Sequence, residues 1–294
     1  MSDALRRRAV LVLPFAWLVL FFLAPFFIVL KISLAESAIG IPPYTPLFTT
    51  DGSGWHLHLS LGSYEFLISD NLYFRAYLDA LKFAAVSTLF CLLLGYPLAY
   101  GIVRAPRRWR GALLLLVILP FWTSFLIRVY AWIGLLKGNG LINNALLALG
   151  LIDQPLTLLN NAFAVYVGIV YSYLPFMVLP LYAQLEKLDP ALLEAAADLG
   201  CRPWQAFARV TLPLSLPGIA AGALLVFVPA VGEFVIPDLL GGPDTLMIGK
   251  VLWDEFFTNR DWPAAAAVAI AMLVFLVVPI AVAQRFLRGE AAAA

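Results

Sequence analysis

Ala162-Phe-Ala-Val-Tyr-Val-Gly-Ile-Val-Tyr-Ser-Tyr-Leu-Pro-Phe-Met-Val-Leu-Pro-Leu-Tyr-Ala-Gln-Leu185 carries no charged side chain and runs directly into Glu186-Lys187-Leu188-Asp189-Pro190. A helix needs roughly 20 mostly apolar residues to cross a hydrocarbon core, and this stretch has them. Working outward, Ala9–Ile32, Leu78–Val103, Ala112–Leu136, Leu216–Leu240 and Ala264–Phe286 meet the same requirement. Each contains Gly or Pro, which membrane helices tolerate because neighbouring groups satisfy the freed backbone atoms. The 294 residues are 63% hydrophobic and only 13% charged, with a mean hydropathy of +0.91. A soluble domain is nearer one half apolar and one quarter charged. The expected fold class is therefore all-α, an integral membrane bundle of about six transmembrane helices.

The first stretch follows Arg6-Arg7-Arg8, and Ser33-Leu34-Ala35 offers a small-x-small site of the kind that ends a signal peptide. Its apolar run exceeds the usual ~7–15-residue signal core, so a retained helix is expected. Lys and Arg then set the orientation. With the N-terminus inside, the inner flanks hold Arg6, Arg7, Arg8, Arg104, Arg107, Arg108, Arg110, Lys187, Arg202, Arg209, Arg285 and Arg288. The outer flanks hold only Lys31, Arg75, Lys82, Lys137, Lys250 and Arg260. Both termini are expected in the cytoplasm. The chain divides into an N-terminal helix with a long outer loop (1–77), a five-helix core (78–287) with an inner loop at 186–213, and a short tail (288–294). That long outer loop, rich in Pro, Gly and aromatics, is expected to carry structure of its own. Arg128 belongs to neither flank, and a span that polar is expected to face protein or water rather than lipid.

The inner loop between the fourth and fifth spans is the most informative segment. Asp189 is placed to cap a helix that Pro190 opens, a position where the missing N–H costs nothing. Leu192, Ala195, Ala196 and Leu199 recur at helical spacing on one face, and Gly200 suits a left-handed helix end. Pro203 starts a second short helix with Trp204, Phe207 and Ala208 along one side. The loop is thus expected to form a helix–turn–helix at the membrane surface.

The order Glu194-Ala195-Ala196, then Gly200, then Val210-Thr211-Leu212-Pro213 resembles the coupling loop of binding-protein-dependent ABC importer permeases. Thr88, Gly95, Tyr96, Pro97, Ala99 and Tyr100 are similar to the second span of that family. Arg128-Val-Tyr-Ala-Trp-Ile-Gly134, Pro175-Phe-Met-Val-Leu-Pro180 and Val228–Pro243 resemble its polyamine branch, most of all its putrescine permeases, with spermidine the sister reading. The likeness covers about Arg75–Phe286. It implies a type I importer permease fold, and a loop in which Glu194, Ala195, Ala196, Gly200, Trp204 and Phe207 couple to an ATPase. It also implies a second homologous permease subunit, two cytoplasmic ATPase subunits and a periplasmic polyamine-binding protein.

The residues themselves bear on the solute. The outer segments hold more acids than bases, among them Asp238 and Glu255, and an acid-lined mouth concentrates cations; ordinary solvated loop charge is the alternative. Glu233 lies ~17 residues into the fifth span, roughly 25 Å along a helix, between Pro229 and Pro237. Intramembrane acids usually face a partner or an aqueous path. A substrate ammonium would be one partner and Arg128 another. Trp122, Tyr171, Tyr173 and Trp253 are candidates for cation–π faces and apolar walls on that path.

Other chemistries find little support. Gly242-Pro-Asp-Thr-Leu-Met-Ile-Gly249-Lys250 is too widely spaced for a phosphate-binding loop and lacks its Ser/Thr, so ATP hydrolysis is assigned to another chain and this chain is expected not to be an enzyme. His56 and His58 are the only histidines, too few for a His-based metal centre, and no cofactor is expected. Cys91 and Cys201 lie in unrelated segments and suggest no disulfide. No basic run is long enough to track nucleic acid. An ATP-independent transporter or channel would share the spans and acids but not the spacing of the coupling loop.

Overall fold

The computed structural model describes residues 12–50 and 55–293. Arg6, Arg7, Arg8, the start of the first expected span at Ala9, and Asp51 lie outside the described residues, as do the side chains of Arg285, Arg288 and Glu290. Helices follow in the order α1 (Val12–Ser33), α2 (Gly62–Ser69), α3 (Asn71–Arg104), α4 (Arg107–Ile118), α5 (Phe125–Leu136), α6 (Leu141–Ala148), α7 (Ala162–Leu185), α8 (Ala191–Asp198), α9 (Pro203–Ala206), α10 (Leu212–Val231), α11 (Val235–Leu240), α12 (Ile248–Trp253) and α13 (Trp262–Ala293). Among the described residues, five helical stretches are long and apolar enough to cross a membrane: Val12–Ser33, Asn71–Arg104, Phe125–Ala148, Ala162–Leu185 and Pro203–Val231. The sixth expected span falls within α13, whose described apolar part is Trp262–Val277.

Two expected spans are differently built. The third, Ala112–Leu136, is not one helix: α4 ends at Ile118, a 3-10 turn covers Leu119–Trp122, Thr123 is extended, and α5 starts afresh at Phe125. Pro120 has no N–H to return to the preceding turn, and the Thr123 hydroxyl donates to its carbonyl at 2.8 Å. The fifth, Leu216–Leu240, begins earlier and breaks later. α9 passes through a π-turn at Phe207–Thr211, where the Leu212 N–H reaches the Phe207 carbonyl, straight into α10. The second short helix of the inner loop is thus the start of the span and does not lie apart from it. α10 ends at Gly232, and α11 resumes at Val235.

The chain divides into two compact units. One comprises Met1–Tyr77 and Val251–Ala294. In it α1 and α2 pack against α13, and the Ser33 and Tyr64 hydroxyls meet at 2.8 Å. Its long loop is structured: Phe48–Thr50 pairs antiparallel with Trp55–Leu57, Phe48 opposite Leu57.

The other unit, Leu78–Lys250, is organised on α7 and α10. These helices approach closely through small residues, as membrane helices do. A Cβ on Gly222 would lie 2.8 Å from the Met177 sulfur, and α11 comes as close to α7, since a Cβ on Gly168 would lie 2.7 Å from Leu240 and 2.8 Å from Ile236. Around the contact Cys91, Tyr96, Ala99, Met177, Leu181 and Val226 form a buried cluster.

Candidate functional sites

The loop at 186–213 folds much as its residues dictate. The Asp189 carboxylate accepts the Ala191 N–H at 3.0 Å and opens α8. Gly200 ends it at φ 77°, in the left-handed region where a Cβ is disfavoured. The Arg202 N–H then donates to the Gln205 side chain at 2.9 Å as α9 begins. Glu194, Ala195, Gly200 and Trp204 are exposed, whereas Ala196 is buried. Phe207 turns inward, its ring 5.6 Å from those of both Tyr96 and Tyr100 in edge-on contacts. Tyr96 in turn meets the Ser215 hydroxyl at 2.9 Å, and the Arg104 guanidinium lies 4.4 Å over the Tyr100 ring. Phe207 therefore ties the loop to α3, leaving Trp204 and Leu199, 65% and 85% exposed, as its most outward large apolar groups.

A second site lies at the break between α10 and α11. Once Gly232 ends α10, the next helix needs partners for its first N–H groups. Glu233 supplies them: one carboxylate oxygen accepts from Val235 at 3.0 Å and Ile236 at 3.4 Å. The other accepts the Tyr173 hydroxyl at 2.5 Å. The carboxylate is only 7% exposed, and its negative charge complements the positive helix end. α12 approaches from the other side. A Cβ on Gly249 would fall 2.5 Å from the Gly232 carbonyl oxygen and 2.8 Å from that of Glu233.

Glu233 faces a cavity of about 370 Å³ lined by Phe121, Phe125, Arg128, Ser172, Tyr173, Phe176, Pro229, Gly232, Phe234 and Val235. Arg128 is also buried, its guanidinium 4.8 Å over the Phe121 ring and 5.7 Å over that of Phe125. Among the described residues, neither its Nε nor its Nη1 has a hydrogen-bond partner, and no ion pair joins it to Glu233. The site offers a fixed anionic acceptor beside ring faces, a setting suited to an organic cation. Among the described residues, no cluster of His, Cys, Asp and Glu is placed to hold a metal.

Of the residues expected on the path, the structure brings Tyr173 and Glu233 together. Tyr171 lies outside the lining and packs edge-on against Trp132 at 5.4 Å, because residues two apart on a helix face different ways. Trp122 is 72% exposed and also outside the lining. Asp238 is ion-paired with Lys250 beside a separate depression that includes Asn160 and Thr245. Trp253 and Glu255 belong to the other compact unit, where Glu255 accepts the Tyr73 hydroxyl at 2.7 Å and Trp253 packs on Phe257 at 4.1 Å. The rings of Phe121, Phe125 and Phe176 were not anticipated. Their signal was available at Arg128, since an arginine in an apolar helix needs company and Phe125 stands one turn before it.

The described chain combines membrane-length helices, a short helix pair between two of them and a buried carboxylate at a helix break. The profile of the binding-protein-dependent transport system inner membrane component family matches residues 91–288, and the chain belongs to that family. It is 40% identical over 280 residues to the spermidine/putrescine transport system permease protein PotB of Haemophilus influenzae, covering 95% of this chain and 93% of that one. The corresponding protein of Escherichia coli K12 is 43% identical over 260 residues, 88% of this chain and 90% of that one. Among solved structures, a bacterial ABC transporter involved in import of the acidic polysaccharide alginate has a chain that superposes with a TM-score of 0.70 at 20% identity, covering 97% of this chain and 95% of that one. The fold is that of an ABC importer permease, a multi-pass protein of the inner membrane.

Proposed function

We propose that this chain is the permease subunit of an ABC importer that moves polyamines, spermidine or putrescine, into a bacterial cell. In this reading it pairs with a second homologous permease subunit, and two cytoplasmic ATPase subunits drive the cycle. A periplasmic polyamine-binding protein delivers the solute. The observation that carries the reading is the buried Glu233 carboxylate beside aromatic faces, in a chain 40% identical to a spermidine/putrescine permease. The core 78–287 forms the path, and Glu194, Ala195, Ala196, Gly200 and Trp204 meet the ATPase, with Phe207 holding their helix in place. Both termini lie in the cytoplasm.

Uptake tests the function. Cells lacking their own polyamine importers, given this chain with its partner subunits, should accumulate labelled spermidine or putrescine, and only with an intact ATPase subunit. Uptake without the ATPase, or of neither polyamine, overturns the proposal. For the orientation, a membrane-impermeant thiol reagent should label Cys201, which is partly exposed, in inverted vesicles only, and should spare the buried Cys91 in either preparation.

A further inference from the structure

The cavity that holds Glu233 holds a second charge of opposite sign, which the reading above leaves without a task. We propose that Arg128 determines specificity by cancelling the field of Glu233, so that bare monovalent ions gain nothing by entering while an organic cation still does. This deepens the assignment of Glu233 to the substrate path and rests on it.

Three observations carry the inference. Arg128 is 9% exposed, and among the described residues its Nε and Nη1 lack partners. Leaving buried charged donors unpaired is unfavourable, so an arginine present only for packing would be expected to bond a carbonyl or an acid. Second, the two charges are held apart. Glu233 is fixed by Tyr173 and by the N–H groups of Val235 and Ile236, while Arg128 is stacked over Phe121 and Phe125. Third, among the described residues no other Asp, Glu, Lys, Arg or His lines the cavity, so the formal charges of its lining sum to zero.

A lone buried carboxylate would attract potassium or sodium, both far more abundant than any nutrient amine. A fixed arginine in a conduit opposes small cations. An alkylammonium meets the same neutral field but also buries its methylene groups against the phenylalanine rings, a gain that a hydrated inorganic ion lacks. Discrimination then comes from apolar contact, with the carboxylate setting orientation.

The test uses the complete importer in proteoliposomes, with ionic strength held by N-methylglucamine salts. Inhibition of polyamine uptake by potassium and by methylammonium is measured for the native chain and for Arg128→Gln, Arg128→Met and Arg128→Lys. Neutralising the arginine should lower the half-inhibiting concentration of both ions by about tenfold or more. Arg128→Lys should keep the native profile, and Arg128→Gln combined with Glu233→Gln should return to weak inhibition. Unchanged inhibition in a neutral variant that assembles and transports overturns the proposal. So does failure of both neutral variants to assemble, which makes the charge structural. The two readings fail separately: unaltered uptake by Glu233→Gln alone removes that residue from the path, whereas impaired uptake there with unchanged ion inhibition in Arg128→Gln refutes only the role of Arg128.

Discussion

The inner loop at Ala191–Thr211 and the cavity at Glu233 are both made of short helices joined by breaks, yet they use glycine and polar groups in opposite ways. Gly200 is needed for conformation: its φ is 77°, and a Cβ there would meet nothing within 4 Å. Gly249 is needed for space, since a Cβ would collide with the carbonyl oxygens of Gly232 and Glu233. The loop turns Trp204 and Leu199 outward, whereas the cavity buries Glu233 and gives each of its carboxylate oxygens a partner within the same unit. The difference teaches which region the chain completes by itself. The cavity is fixed by its own backbone. The loop leaves Trp204 and Leu199 uncovered by the rest of the chain.

The most severe way to break the comparison is at Gly249. Gly249→Val forces a side chain against the backbone carbonyls of the break that positions Glu233, and overpacking of that kind costs about 3 kcal/mol. The assembled complex should unfold at a visibly lower temperature, and uptake should fall roughly a hundredfold. A Gly249→Val complex with native thermal stability and uptake would show that α12 does not hold the carboxylate in place.

Next in size is Glu233→Gln. The amide oxygen can still accept from Val235 and Ile236, but its NH₂ cannot accept the Tyr173 hydroxyl, and no charge remains for an ammonium. Losing a charge-assisted hydrogen bond costs ~1.5–3 kcal/mol, a roughly tenfold to hundredfold loss if felt where transport is limited. Uptake should therefore drop while assembly and basal ATP hydrolysis stay near native. Native rate and apparent affinity in the purified complex would take the carboxylate off the path.

Both regions were readable from the amino-acid order to different depths, for a physical reason. The loop is local: Asp189, Pro190, Gly200 and Pro203 act on neighbours within a few residues, so capping and turn chemistry foretell it. What the order concealed was continuity, because the π-turn at Phe207–Thr211 lets α9 run into α10, ahead of the expected span start at Leu216. It also concealed that Phe207 faces Tyr96 and Tyr100, residues about a hundred positions away. The cavity is non-local. Glu233 and Arg128 announced themselves as charges in apolar stretches. Choosing Tyr173 over Tyr171 required knowing which face of α7 meets the α10–α11 break. The rings of Phe121 and Phe125 are set by the interruption at Thr123, which the hydropathy of Ala112–Leu136 does not register.

The smallest expected effect sharpens the comparison from the loop side. Gly200→Ala places a Cβ in open space but in the left-handed region, which disfavours it by about 1 kcal/mol. Because nothing collides, the variant should accumulate, assemble and unfold almost as the native complex does, unlike Gly249→Val. The strain acts on the angle between α8 and α9 and so on how Leu199 and Trp204 are presented. Substrate-stimulated ATP hydrolysis should fall severalfold while the Glu233 cavity is undisturbed. Gly200→Asn separates conformation from mere loss of glycine, since asparagine tolerates the left-handed region better than alanine. It should recover most of the stimulation, and Gly200→Val should lose more than Gly200→Ala. If all three variants stimulate ATP hydrolysis equally, the left-handed turn is not what aims the loop. If Gly200→Ala instead destabilises the complex as much as Gly249→Val, the contrast between a glycine kept for conformation and one kept for space fails.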